Sequence, residues 1–391
     1  MTISQDFPPH IAWQADGAQH TLPWHSEAGN APPKRVQEAD DQIPADTAYK
    51  LACEGTGLLW RGDFQNARQL LQALGRRIDR ARERAEAKKK GADKGTAEQP
   101  AQAFHHHRQM QAQRARILGM LLIPLDAGFS IPLRRAPDVR DACAEAYGPQ
   151  LGKQPFAVSL RELQGLIGAH EWRKKGVEIN ALGARIHPYY GVFSPVRGEY
   201  VDLVAQAPLP SAELAFDIGV GSGVLSAMLA RRGVRKVVAT DMDERALACA
   251  RENLQGLGLL AQVELRKADL FPEGRAPLIV CNPPWLPARP SSPIEYAVYD
   301  PDSRMLLSFL NGLAEHLAPG GEGWLIMSDF AEHLGLRAPT MLAEAIAAAG
   351  LEVAGRIDTK PRHGKAADRD DPLHAARSKE TTSLWRLKAR A

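Results

Sequence analysis

The chain has 391 residues, of which 44% are hydrophobic and 24% charged, with a formal net charge of +3. That length suits two domains, and so small a charge is no argument for nucleic acid on its own. No run of about 18 apolar residues occurs, which excludes a membrane-spanning helix, and the N-terminus lacks the basic-then-apolar shape of a secretory signal, so a cytoplasmic protein is expected. Cys53, Cys143, Cys249 and Cys281 form no CxxC pair, so buried thiols are expected and a metal site is not.

Residues 1–45 are rich in Pro, Asp and Gln and read as a poorly ordered arm. Residues 46–186 read as a mainly helical domain. A first helix is expected after Asp63, with Phe64, Ala67, Leu70, Leu71, Leu74 and Ile78 on one face. It runs into Lys88-Lys89-Lys90, where positive charge suits a helix C-terminus. Residues 91–102 read as an exposed polar connection. A second helix is expected over Phe104 to Leu121, with Leu122-Ile123-Pro124-Leu125 ending it. His105, His106 and His107 fall on different faces of that helix and cannot converge on one metal. A third helix is expected over Asp138 to Tyr147 and a fourth over Ser159 to His170. A short strand pair follows, Val177–Ile179 and Ala184–Ile186.

Residues 187–391 carry the strongest signals. The apolar run Leu214 to Ile218 enters Gly219-Val220-Gly221-Ser222-Gly223, and a helical pattern follows. Glycines at such a turn let the backbone take positive φ and approach a ligand closely. A second strand ends at Asp241, roughly 20 positions past the turn, where an acid is placed to accept hydrogen bonds from ribose hydroxyls. Asp241 is also placed to cap the helix beginning near Asp243-Glu244. A third strand, Gln262 to Arg266, leads to Ala268-Asp269-Leu270-Phe271. The run Pro277 to Cys281 reads as a buried parallel strand that ends in Asn282-Pro283-Pro284-Trp285. Two prolines cannot continue a central strand, so the chain leaves the sheet there. In open α/β sheets, ligands bind at that carboxyl end.

The order strand, GxGxG, helix, strand, Asp, helix, strand, Asp, strand, NPPW resembles the class I S-adenosylmethionine-dependent methyltransferases. Within them it resembles the subgroup with an (N/D)PP(Y/F/W) motif, over about residues 187–391. The resemblance implies a Rossmann-like seven-stranded α/β sheet whose last strand is antiparallel. It implies S-adenosylmethionine as cofactor, held by Phe193, Pro195, Asp217, Gly219, Val220, Gly221, Ser222, Gly223, Asp241, Met242, Asp269, Leu270 and Asn282. Catalysis would fall to Asn282, Pro283, Pro284 and Trp285, with no metal.

The greatest similarity is to the N5-glutamine methyltransferases that modify release factors and a ribosomal protein. Those carry NPPY where this chain has Trp285, and Tyr190 to Glu199 resembles their VFxP segment. The N6-adenine methyltransferases of RNA and DNA also carry NPP(Y/F/W). The implied substrate is therefore macromolecular: first a glutamine amide in a protein of the translation machinery, second an adenine of RNA or DNA. A non-catalytic scaffold retaining the cofactor fold is the reading from another class. In the glutamine-modifying family a small helical domain recognises the substrate protein, which implies that role for residues 46–186.

An amide or exocyclic nitrogen is a poor nucleophile because its lone pair is delocalised. The Asn282 side-chain carbonyl and the Pro283 main-chain carbonyl are suited to accept its two N–H groups, and the prolines preorganise the loop. Trp285 is expected to stack on the flat acceptor. Further strands are expected at Glu322 to Met327, Leu351 to Ile357 and Thr382 to Leu387, with a helix over Thr340 to Ala349. The connection Lys360 to Glu380 is long for a hairpin and carries Arg362, His363, Lys365, Arg369, His374, Arg377 and Lys379. It is expected to wall the substrate entrance.

Overall fold

The computed structural model describes residues 9–92, 99–290, 293–362 and 368–390. Residues 1–8 of the expected arm, 93–98 of the polar connection, and His363 and Lys365 lie outside the described residues. The chain divides into two compact units, Met1–Gln99 with His105–Glu171, and Pro100–Phe104 with Trp172–Ala391. The division falls at residue 171, ahead of the expected boundary at 186, and the expected strand pair belongs to the second unit. Among the described residues no helix is long and apolar enough to cross a membrane.

The first unit departs from expectation. Strands β1 (His10–Ala15) and β2 (Ala18–Pro23) form an antiparallel hairpin where the sequence predicts a loose arm. Its two-residue turn is Asp16-Gly17, both with positive φ, the chemistry a tight hairpin requires. Ile11 and Trp13 alternate inward and pack on Trp24, Leu59, Leu122 and Ala157.

A four-stranded sheet then runs in the order β3 (Arg35–Ala39), β4 (Thr56–Trp60), β5 (Leu121–Leu125), β6 (Phe156–Ser159). The first three strands are parallel and β6 is antiparallel. The helices around it are α1 (Ala45–Cys53), α2 (Phe64–Ala92), α3 (Pro100–Leu118), α4 (Arg140–Tyr147) and α5 (Leu160–Lys175). The predicted face of α2, formed by Phe64, Ala67, Leu70, Leu71, Leu74 and Ile78, is buried, whereas α1 had no counterpart among the expected helices. The expectation of a mainly helical domain overlooked the sheet, because β4, β5 and β6 are buried at every position and show no alternation. Residues 121–125, read as a helix end, are β5. Pro124 is tolerated there because it lies past Leu122, the last position paired with β4.

The second unit opens with the predicted pair β7 (Val177–Ile179) and β8 (Ala184–Ile186), then α6 (Glu199–Gln206). Its seven-stranded sheet comprises β9 (Leu214–Ile218), β10 (Lys236–Asp241), β11 (Val263–Lys267), β12 (Ala276–Cys281), β13 (Leu317–Ser328), β14 (Leu351–Thr359) and β15 (Thr382–Ala389). The spatial order is β11-β10-β9-β12-β13-β15-β14. The ladder is parallel from β11 to β13, and β15 is antiparallel to both β13 and β14. Helices α7 (Val224–Arg231) and α8 (Glu244–Gly256) pack with β7 and β8 over one face. Helices α9 (Arg304–His316) and α11 (Met341–Ala348) cover the other, with the short α10 (Phe330–His333) between them in sequence.

The central strands are continuous apolar runs because both faces are covered. The outermost strands carry charge instead. β14 presents Glu352, Arg356 and Asp358, with a ladder irregularity between Val353 and Gly355, and β11 presents Glu264, Arg266 and Lys267.

Candidate active site

Strand order reverses between β9 and β12. Ile218 and Cys281, their last residues, are register partners. The glycine turn and the Asn282 turn therefore leave the sheet side by side. That is the crevice where open α/β sheets bind ligands.

The glycine turn is held from below. Gly219 and Val220 donate their N–H groups to the Thr240 carbonyl at 2.9 and 2.8 Å. Gly221 (φ 51°) has open space where a Cβ would stand, so the backbone faces outward unscreened. Gly223 (φ 83°) opens α7, and a Cβ there would come within 3.2 Å of Ala250 on α8. Val220 and Ser222 turn their side chains into the protein and offer only backbone to the crevice.

Two carboxylates flank this turn. Asp217 on β9 is buried, its Oδ2 accepts from the Ser226 hydroxyl at 2.6 Å, and its Oδ1 has no hydrogen-bond partner among the described residues. Burial pushes its carboxyl up to about 7, opposed by Ser226 and reinforced by the charge of Asp241. Asp241 accepts from the N–H groups of Gly221 and Asp243, both at 3.0 Å. Burial raises its carboxyl as well, against those hydrogen bonds. Asp243, not Asp241, caps α8 by accepting from the Arg245 N–H at 2.9 Å.

The remaining predicted residues surround the crevice less closely. Met242 is 57% exposed at the tip of β10. Leu270 has a φ of 69°, and its carbonyl accepts from the Thr240 hydroxyl at 2.5 Å, which ties the turn after β11 to β10. Asp269 is largely exposed, and its carboxylate lies 3.8 Å from the Arg304 guanidinium. The Tyr189 to Pro195 segment lies against α8, with Val192 buried on Ala246 and Cys249. Phe193 packs on the core near Tyr200, and Pro195 is buried.

The Asn282 turn is fixed at its downstream end. Leu286 donates to the Val298 carbonyl at 3.1 Å, and its own carbonyl accepts from Asp300 at 2.8 Å. The Arg337 guanidinium donates to the Trp285 carbonyl at 3.0 Å. Pro283 is buried and Asn282 and Pro284 are half-buried. Trp285 packs against the core layers on both sheet faces, so it is not an open platform. Its indole N–H donates to Asn282 Oδ1 at 3.0 Å, and the Arg197 guanidinium lies over its ring, 5.1 Å from the centroid. Arg197 in turn donates to Glu199 at 3.1 Å and Glu380 at 2.8 Å.

Sequence reasoning missed Arg197, Glu199, Glu380 and Arg337 as parts of this site. Their place inside the VFxP-like segment, Tyr190 to Glu199, was a signal for the first two. For Arg337 there was none. The described part of the long connection is structured: α12 (His374–Arg377) buries Ala376, and Leu373 beside it joins Phe330 and Leu334 of the α10 segment in one cluster. Arg377 stacks over Phe330 and pairs with Asp371.

The methyltransferase small domain description matches residues 185–348. A tRNA1(Val) (adenine(37)-N6)-methyltransferase of Shewanella loihica is 31% identical over 186 residues, which span 45% of this chain and 74% of that protein. A release factor glutamine methyltransferase of Cereibacter sphaeroides is 35% identical over 131 residues, spanning 32% of this chain and 43% of that protein. The chain thus spans less than half the length of the latter relative. A ribosomal protein L11 methylase from Lactobacillus delbrueckii subsp. bulgaricus overlays 51% of this chain and 82% of its own, at 18% identity and a TM-score of 0.36. With the family's match lying over the glycine turn and the Asn282 turn together, this chain belongs to the methyltransferase small domain family.

Proposed function

We propose that the chain is an S-adenosylmethionine-dependent N-methyltransferase whose preferred acceptor is a glutamine amide in a protein of the translation machinery. The observation that carries this reading is the register pairing of Ile218 with Cys281, which sets the glycine turn beside Asn282. The cofactor fits the residues present: the open face of Gly221, the Asp217 Oδ1, unpartnered among the described residues, and the Asp241 carboxylate offer backbone, a buried acceptor and a tip acceptor. When bound, S-adenosylmethionine supplies an electrophilic methyl on a sulfonium sulfur.

The chain's own residues hold the acceptor nitrogen. Asn282 Oδ1 already accepts the Trp285 indole N–H and keeps a second lone pair for one N–H of the substrate. The Pro283 carbonyl takes the other. Fixed acceptors of this kind orient the nitrogen lone pair toward the methyl without rearranging during transfer.

A second reading, N6-methylation of an adenine in RNA, is kept because the tRNA-modifying relative is matched over 74% of its length. The test is incubation of the full chain with methyl-labelled cofactor and a cell extract, followed by separate protease and nuclease digestion. Label released by protease supports glutamine, label released by nuclease supports adenine, and no label at all overturns the activity.

A further inference from the structure

Trp285 was expected to stack on the substrate, yet its N–H, one ring face and main-chain carbonyl are all engaged within the protein. An indole N–H only donates, so the Asn282 atom it meets is the amide oxygen. That bond holds Oδ1 in place and prevents the amide from presenting its NH2 group to an incoming N–H. The indole is held in turn by Arg197, whose planar fork reaches two carboxylates at once. Glu199 comes from α6, and Glu380, fully buried, precedes β15 and also accepts from the Ser328 hydroxyl at 2.7 Å. Asn282 is thereby connected to α6 and to the ends of β13 and β15.

We propose that Arg197, bridging Glu199 and Glu380, is a positioning residue for Asn282 that acts through the Trp285 ring and indole N–H. The inference rests on the proposed methyl transfer for its kinetic consequence, while its structural consequence is measurable without it. Positioning makes a prediction that stacking does not. Trp285→Phe keeps a ring to stack but removes the N–H, so it should behave as a loss.

The test uses the full chain labelled with 15N-tryptophan, with the Trp285 indole signal identified by its disappearance in Trp285→Phe. Indole N–H exchange with solvent should be about tenfold faster in Asn282→Ala, the weight of one hydrogen bond, and measurably faster than wild type in Arg197→Lys, which loosens the ring. The lysine keeps a positive charge beside buried Glu380, so the variant folds, but it lacks the fork. In the labelled-cofactor assay, Trp285→Phe and Arg197→Lys should each transfer about tenfold less methyl, with half-saturation by cofactor unchanged. Unchanged exchange in Arg197→Lys, or wild-type transfer by Trp285→Phe, overturns the positioning role. If the wild type transfers no label, the proposed activity fails and the exchange measurement alone decides the inference.

Discussion

The backbone N–H of Gly221 donates to Asp241 Oδ2 at 3.0 Å, joining the glycine turn after β9 to the tip of β10. The carboxylate expected at the ribose thus also shapes the loop that would face the rest of the cofactor. Asp241→Ala removes the acceptor for Gly221 and Asp243 together. Hydrogen bonds to a charged group contribute about 1.5–3 kcal/mol, so S-adenosylhomocysteine should bind about 10–100-fold more weakly. Titration calorimetry checks this, and wild-type affinity in the variant would remove Asp241 from the cofactor site.

Asn282→Ala should separate binding from chemistry. It deletes the acceptor for the substrate N–H and leaves the glycine turn intact. By comparison with the loss of one preorganised donor or acceptor elsewhere, kcat should fall about 10²–10³-fold. Affinity for S-adenosylhomocysteine should stay within about twofold. Equal turnover in the variant would end the assignment.

Asp217 makes stability depend on pH with an uncommon sign. Burial raises its carboxyl to about 7, so between about 4 and 7 the folded chain holds a proton that the unfolded chain has released. More protons bound in the folded state means that stability falls as pH rises through that window and levels off above it. The contribution is on the order of 3–4 kcal/mol across the window. Asp217→Asn should flatten it, as read from urea midpoints at pH 5 and pH 8. A wild type and variant with the same slope would show that Asp217 is not the group responsible.

Glu322 on β13 is buried and accepts both Nε and Nη2 of Arg386 on β15, at 2.8 and 2.7 Å, and the Trp324 indole at 3.2 Å. Arg386→Met leaves that carboxylate with the Trp324 indole and with Lys388 at 3.6 Å, and should destabilise the fold by about 1.5–3 kcal/mol. Glu322→Gln combined with Arg386→Met should recover much of the loss, because the charge is gone. Additive losses in the double variant, measured by chemical denaturation, would rule out coupling.

The second unit was readable because its signals are local. Apolar runs bounded by Gly219 and by Pro283 mark where strands end, and Asp241 lies at a fixed distance from the turn. The first unit resisted for the opposite reason. Thr56–Trp60, Leu121–Leu125 and Phe156–Ser159 are short and buried on both faces, and periodicity does not separate such runs from helix segments. Asp16-Gly17 was a legible hairpin turn in a stretch whose composition argued for disorder. At the site, the motif located Asn282 and Trp285 but not the bond between them. Glu380 reaches Arg197 across 183 positions of chain, a separation no local pattern encodes.

The charged strands at the two margins of the seven-stranded sheet bear on how the protein behaves when crowded. A stranger's strand adding to β14 would have to lie against Glu352, Arg356 and Asp358 and follow a strand made irregular between Val353 and Gly355. One adding to β11 would meet Glu264, Arg266 and Lys267. A sheet with margins like these resists stacking edge to edge into aggregates, so its apolar central strands can be long without making the protein sticky.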